Sequence, residues 1–219
     1  MSFLKTYIST PLLVLLFVIM TTTGTCLAAP QPQSPMEVIQ SAYNELITVL
    51  NDPAYQGEAA KEKRRQKITE LAKRIFDFRK ISLLALGKNV RKFTKAEFNE
   101  FSEIFSQLLE NSYIAKIETY KDAKVKFDKE RLLTPRKAIV ETIVTYNNKE
   151  IPITYRLYKK GDTWRGYDVL VEGISLIKNY RTQFNELMSR EKPADVIKLV
   201  KRKLEEQSDI QASKEQKQG

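Results

Sequence analysis

The chain has 219 residues, 42% of them hydrophobic, and its 37 basic against 27 acidic residues give a formal net charge of +10. That length suits one good core and is short for two. With no histidine and a single cysteine, Ser-His-Asp and Cys-His catalysis and any histidine-ligated zinc site are excluded, which leaves carboxylate, lysine or tyrosine chemistry.

Residues 1–28 read as a secretory signal peptide: Lys5 alone in the first segment, an apolar run from Leu12 to Met20, then Cys26-Leu27-Ala28 with small residues suited to a signal peptidase. Cleavage is expected after Ala28 or after Ala29. The apolar run is shorter than the roughly 20 residues of a membrane span, so export is expected rather than anchoring. Thr23 and Thr25 fit a lipobox poorly, which makes lipidation at Cys26 the lesser alternative. Cleavage removes Lys5 and the only cysteine, leaving a formal charge of +9 and no disulfide. For an exported chain this charge points to an anionic membrane surface, an acidic protein partner or a merely basic solvated surface rather than to nucleic acid.

After the extended leader Pro30 to Pro35, Ser34 and Glu37 form a capping box with Pro35 at the first helical position. Val38, Ile39, Ala42, Tyr43, Leu46, Ile47 and Leu50 give that helix one apolar face, and Asn51-Asp52-Pro53 stops it. A charged helix follows from Glu58 to about Ile75. Phe76 to Gly87 reads as a short buried helix ended by a glycine cap. Thr94 and Glu97 open the longest helix, from Lys95 to about Tyr120, with an aromatic stripe through Phe98, Phe101, Phe105, Leu108, Leu109 and Tyr113.

From Ala123 the period becomes two. Val125 and Phe127 begin it, Ala138 to Tyr146 continues, Asn147-Asn148 is a tight-turn pair, Ile151 to Leu157 alternates again, and Gly161-Asp162 feeds the run from Trp164 to Val171. At Gly173 the period changes to 3.6, with Ile174, Ile177, Tyr180, Phe184 and Leu187 on one helical face up to about Arg190. A last helix starts at Pro193 with Val196, Ile197, Val200 and Leu204 inward, and the Gln/Lys/Glu-rich residues 208–219 are expected to be a disordered tail. The fold class is therefore α+β: helices packed on one face of a curved antiparallel meander of about four strands, in a single domain over 29–207.

Periodicity alone assigns the apolar positions to an ordinary close-packed core. Phe76-Asp77-Phe78, Leu86-Gly87, the stripe from Phe98 to Tyr113, then Tyr167-Asp168-Val169, Glu172-Gly173-Ile174-Ser175-Leu176 and Asn179-Tyr180-Arg181 with Phe184 together resemble the MlaC family. These are periplasmic phospholipid-binding components of Gram-negative lipid-transport systems, also called toluene-tolerance auxiliary proteins. The resemblance runs from about Ser34 to Leu204, with departures at Lys88 to Arg91 and at Glu191-Lys192-Pro193. It implies a monomeric periplasmic carrier, not an enzyme, that holds acyl chains in an apolar cavity between sheet and helices. The implied partners are phospholipid, an inner-membrane MCE-domain/ABC transporter complex and an outer-membrane lipoprotein complex, with no nucleic acid and no cofactor beyond the cargo. A hopanoid cargo and a lipid-free protein adaptor are the alternatives. The residues it points to are Phe101, Phe105 and Leu108 on the long helix, Val144, Tyr155, Leu157, Val169 and Val171 on the sheet, and Ile174, Ile177, Tyr180 and Phe184 after Gly173. Arg181 is the candidate for the head-group phosphate, because its fork can make a two-pronged contact. The competing enzymatic reading is a carboxylate-pair hydrolase, and Asp168 and Glu172 lack a matched acidic partner in the sequence.

Overall fold

A computed structural model describes residues 33–119 and 121–215; the signal peptide expected over 1–28 lies outside them. Helix α1 (Pro35–Asn51) begins at the Ser34–Glu37 capping box, with both reciprocal hydrogen bonds formed. Helix α2 (Lys61–Ile75) and the short α3 (Phe78–Leu86) follow, and α3 is capped by the side chain of Asp77. Thr94 and Glu97 close a second capping box ahead of α4 (Lys95–Thr119).

Strands β1 (Lys124–Thr134), β2 (Lys137–Tyr146), β3 (Lys149–Lys160), β4 (Thr163–Val171) and the two-residue β5 (Ile174–Ser175) form one antiparallel sheet in chain order. Asn147 and Asn148 both take positive φ, which lets a two-residue turn match the twist of the strands it joins. Glu172 and Gly173 do the same between β4 and β5. The change of period at Gly173 is thus a hairpin rather than a strand running straight into a helix. Ile174 belongs to β5 opposite Val171, and helix α5 (Leu176–Arg190) starts two residues later on an Ser175 N-cap.

Helix α6 (Pro193–Glu215) continues past Ser208, where composition predicts a disordered tail. The Gln, Lys and Glu that make the segment polar are also good helix formers, and Gln207 Nε2 donates to Ser112 Oγ at 2.8 Å, tying this turn to α4.

The buried apolar residues divide into three clusters. The largest joins α3, α4, α5 and α6 through Phe101, Phe105, Leu108, Ile177, Phe184 and Val196. The second lies between the sheet and α1, where Ile39 meets Ala138, Val140, Leu157 and Trp164. The third unites the end of α1 with α2 and α4 through Val49, Leu50, Ile68 and Ile114. The helices are fastened to the edge of the sheet at β4: Phe76 forms a parallel bridge with Gly166, and the Asp77 N–H donates to Gly166 O at 2.9 Å.

Candidate functional site

The register of the sheet decides which side chains share the face that α1 covers. Ala138 pairs with Leu157, Val140 with Tyr155, Thr142 with Ile153 and Val144 with Ile151; Tyr155 in turn pairs with Val169, and Ile153 with Val171. Under α1 this face is closed, since Ala138, Val140 and Leu157 are all buried. Farther along it Val144, Ile151, Ile153, Tyr155 and Val169 are only half-buried, and Val171 at the end is 42% exposed. Apolar side chains that keep accessible surface forgo burial worth about 25 cal/mol per Å². An uncharged apolar surface therefore runs from the closed region beneath α1 outward to the β4–β5 turn.

The helical half presents a different picture. Phe101, Phe105 and Phe184 are fully enclosed, and their rings pack with one another and with Tyr180: Phe105 lies 5.4 Å from Phe101, 4.9 Å from Tyr180 and 5.2 Å from Phe184. Such stacked and edge-on pairs contribute beyond their buried area. Helix α4 packs along α2, α3 and α6, and the cluster built on its aromatic stripe is filled mainly from α5 and α6, with Tyr167 of β4 packed against it. The structure thus brings Phe101, Phe105, Leu108, Ile177 and Phe184 into one cluster and places Leu157 and Tyr155 in another. Tyr180 is half-buried beside the first, Val144 and Val169 line the open part of the sheet face, and Ile174 is 70% exposed at the β4–β5 turn. The pairing across Asn147-Asn148 adds Ile151 and Ile153, which the sequence reading did not single out. Counting outward from that turn opposite Val144 and Thr142 would have found them.

Tyrosine hydroxyls supply the polarity near these surfaces. Burial pushes the Tyr113 phenol up to about 12, helped by the neighbouring Tyr180, whose own phenol burial also raises. Burial likewise raises Tyr155, with a hydrogen bond to Thr142 acting the other way. All three are therefore uncharged hydrogen-bonding groups at neutral pH. Arg181 lies over Gly87, whose φ is +56°, and its Nε donates to the Leu84 carbonyl at 2.8 Å, locking α5 to the end of α3.

The buried carboxylates are occupied by structural bonds. Asp168 accepts from the Ile177 N–H at 3.1 Å and Ser175 Oγ at 2.7 Å, holding the start of α5 to β4, and from Arg156 at 3.3 Å. Asp77 caps α3 through the Lys80 N–H and also accepts from the Tyr158 hydroxyl and from Lys160 Nζ at 2.8 Å. Burial alone would raise the Asp77 carboxyl, but these bonds outweigh it and hold it at about 2. Among the described residues no group of His, Cys, Asp or Glu could hold a metal ion, and no helix is long and apolar enough to cross a membrane.

Comparison with known proteins accords with this architecture. The toluene tolerance protein ttg2D of Pseudomonas putida is 27% identical over 160 residues, covering 72% of this chain and 74% of the relative. A phospholipid-binding protein from Ralstonia solanacearum, solved in complex with a phospholipid, superposes with a TM-score of 0.72 at 17% identity over 80% of this chain and 99% of its own, a shared fold. The MlaC protein family model matches residues 40–202, from within α1 to within α6 and across the whole sheet. A match of that extent is decisive: the chain belongs to the MlaC family.

Proposed function

We propose that this protein is a periplasmic phospholipid carrier that shields acyl chains from water, shuttling lipid between an outer-membrane lipoprotein complex and an inner-membrane MCE-domain/ABC transporter complex. The observation that carries the reading is the uncharged face from Val144 and Tyr155 through Val169 to Val171, which the fold leaves accessible although it lies on the side that α1 covers. Family membership and the phospholipid held by the similarly folded Ralstonia protein support it. Each methylene shielded is worth about 0.8 kcal/mol, so a carrier has to offer nearly as much apolar contact as the bilayer does. Tyr155, uncharged and on this face, offers an ester oxygen a hydroxyl without burying charge, and Arg181, with Nε committed to Leu84, meets the phosphate through its terminal N–H groups. Asp77 and Asp168, being occupied as helix caps, favour a carrier over a carboxylate-pair hydrolase.

The test is solvent extraction of the purified protein followed by mass spectrometry, with uptake from labelled phospholipid vesicles. Co-purifying phospholipid, lost in Val169→Glu with the circular dichroism unchanged, is expected. A protein that neither carries nor takes up lipid, or a folded Val169→Glu that loads normally, would overturn the reading.

A further inference from the structure

The β1–β2 hairpin projects at the end of the sheet farthest from the β4–β5 turn. Every residue from Asp128 to Lys137 is exposed, although the strands remain paired, with Leu132 opposite Ala138 and Thr134 opposite Lys137. At its tip Leu132 is 57% and Leu133 49% exposed. The register shifts between Leu132 and Thr134, leaving Leu133 as an extra residue in this edge strand, and neither leucine is covered by another element.

Cations surround the pair. Arg131, Arg136 and Lys137 lie on the hairpin, and Lys159 and Lys160 end β3 beside it. Arg136 donates to the Lys159 carbonyl at 3.3 Å, the Lys159 N–H donates back to the Arg136 carbonyl at 3.0 Å, and the Arg136 N–H donates to Thr134 Oγ1 at 3.2 Å. The turn is therefore braced against the sheet. The nearby acids only partly offset this charge: Glu130 accepts from the Met36 N–H at 2.7 Å, Glu141 lies 3.7 Å from Arg131, Asp77 takes Lys160, and Asp162 sits in the β3–β4 turn.

We propose that this hairpin docks the protein on an anionic lipid bilayer, with Leu132 and Leu133 in the interfacial region and Arg131, Arg136, Lys137 and Lys159 against lipid phosphates. Two adjacent leucines ringed by cations are a small apolar patch beside the roughly 800 Å² that a stable protein partner covers on each side, whereas a fluid interface closes around inserted side chains. Long basic side chains extend toward phosphates while their stems follow the apolar residues down, and surface charge adds to apolar insertion. Leu132, opposite Ala138, is on the side of the sheet that α1 covers, but the closed region of Ala138, Val140 and Leu157 separates it from the open surface assigned to cargo, so docking and loading fail independently.

Flotation with phosphatidylglycerol-containing vesicles tests the proposal against pure phosphatidylcholine vesicles. The protein is expected to float with the anionic vesicles and to be released by high salt. Leu132→Ser/Leu133→Ser should weaken this association at least tenfold, with the urea midpoint followed by Trp164 fluorescence unchanged and lipid loading from detergent micelles retained. Val169→Glu should still float. Lys137→Glu/Lys159→Glu, which leaves the Arg136 side-chain bond to the Lys159 carbonyl in place, should also abolish binding. No binding of the natural protein to anionic vesicles, equal binding by the leucine variant, or loss of flotation in Val169→Glu would overturn the proposal. So would self-association in the absence of vesicles that the leucine substitutions remove, which would assign the tip to a second copy.

Discussion

Replacing Gly166 by alanine tests how the helices are joined to the sheet. A Cβ added there would lie 2.6 Å from Phe76 Cδ1 and 2.7 Å from Cε1. Carbon atoms in contact sit about 3.5–4.0 Å apart, so the ring has to retreat by roughly 1 Å. Phe76 is bridged to Gly166, and the next residue, Asp77, both donates its N–H to the Gly166 carbonyl and caps α3. Overpacking of this kind costs about 1–3 kcal/mol, and a strained or lost hydrogen bond adds about 1 kcal/mol. The gain from removing a strand glycine, about 0.5–1 kcal/mol, offsets part of this, so Gly166→Ala is expected to destabilise by about 2–3 kcal/mol. Urea unfolding read by Trp164, the single tryptophan and a buried residue in the same sheet, measures it. In a Phe76→Ala background the clash is gone, and Gly166→Ala should be neutral or slightly stabilising. An equal cost in both backgrounds would refute the reasoning, because the penalty would then not arise from the ring.

The aromatic cluster and the buried carboxylate make further predictions. Phe105→Ala, at a residue 0% exposed with three ring neighbours, should cost about 3–5 kcal/mol in urea unfolding, whereas Val171→Ala at the exposed end of β4 should cost well under 1 kcal/mol; comparable losses would contradict the placement of the two. Asp77, with its carboxyl lowered from 3.8 to about 2, contributes stability that is fully present above about pH 4 and is lost as pH falls through about 2. That shift corresponds to about 2 kcal/mol, so the stability gap between the natural protein and Asp77→Asn should narrow by about that amount between pH 6 and pH 2, and a gap independent of pH would refute the assignment.

What lay within a few residues of itself was legible in the amino-acid order. The capping boxes at Ser34–Glu37 and Thr94–Glu97, the Asn147-Asn148 turn, and the change of period beside Gly173 are local devices whose geometry follows from backbone sterics and from hydrogen bonds reaching three residues. They were enough to yield an α+β chain with an antiparallel meander and to bring the family resemblance into view. Even locally, propensity was ambiguous where two rules competed: Ile174 fits the helical period of Ile177 and Tyr180, yet a two-residue turn at Glu172-Gly173 returns it to the sheet opposite Val171, and the polar residues after Ser208 extend a helix rather than dissolve it. The tertiary structure alone decided which apolar faces meet. Nothing in the spacing of Phe101 and Phe105 says that they pack on Phe184 and Tyr180 while Val144 and Val169 stay partly uncovered, nor that Lys160 reaches back to Asp77 and Arg181 to Leu84. Periodicity reports that a side chain has an apolar neighbour. Which neighbour it meets, across some eighty to a hundred residues of chain, depends on strand register and helix placement, and these are set only when all the surfaces compete for one another at once.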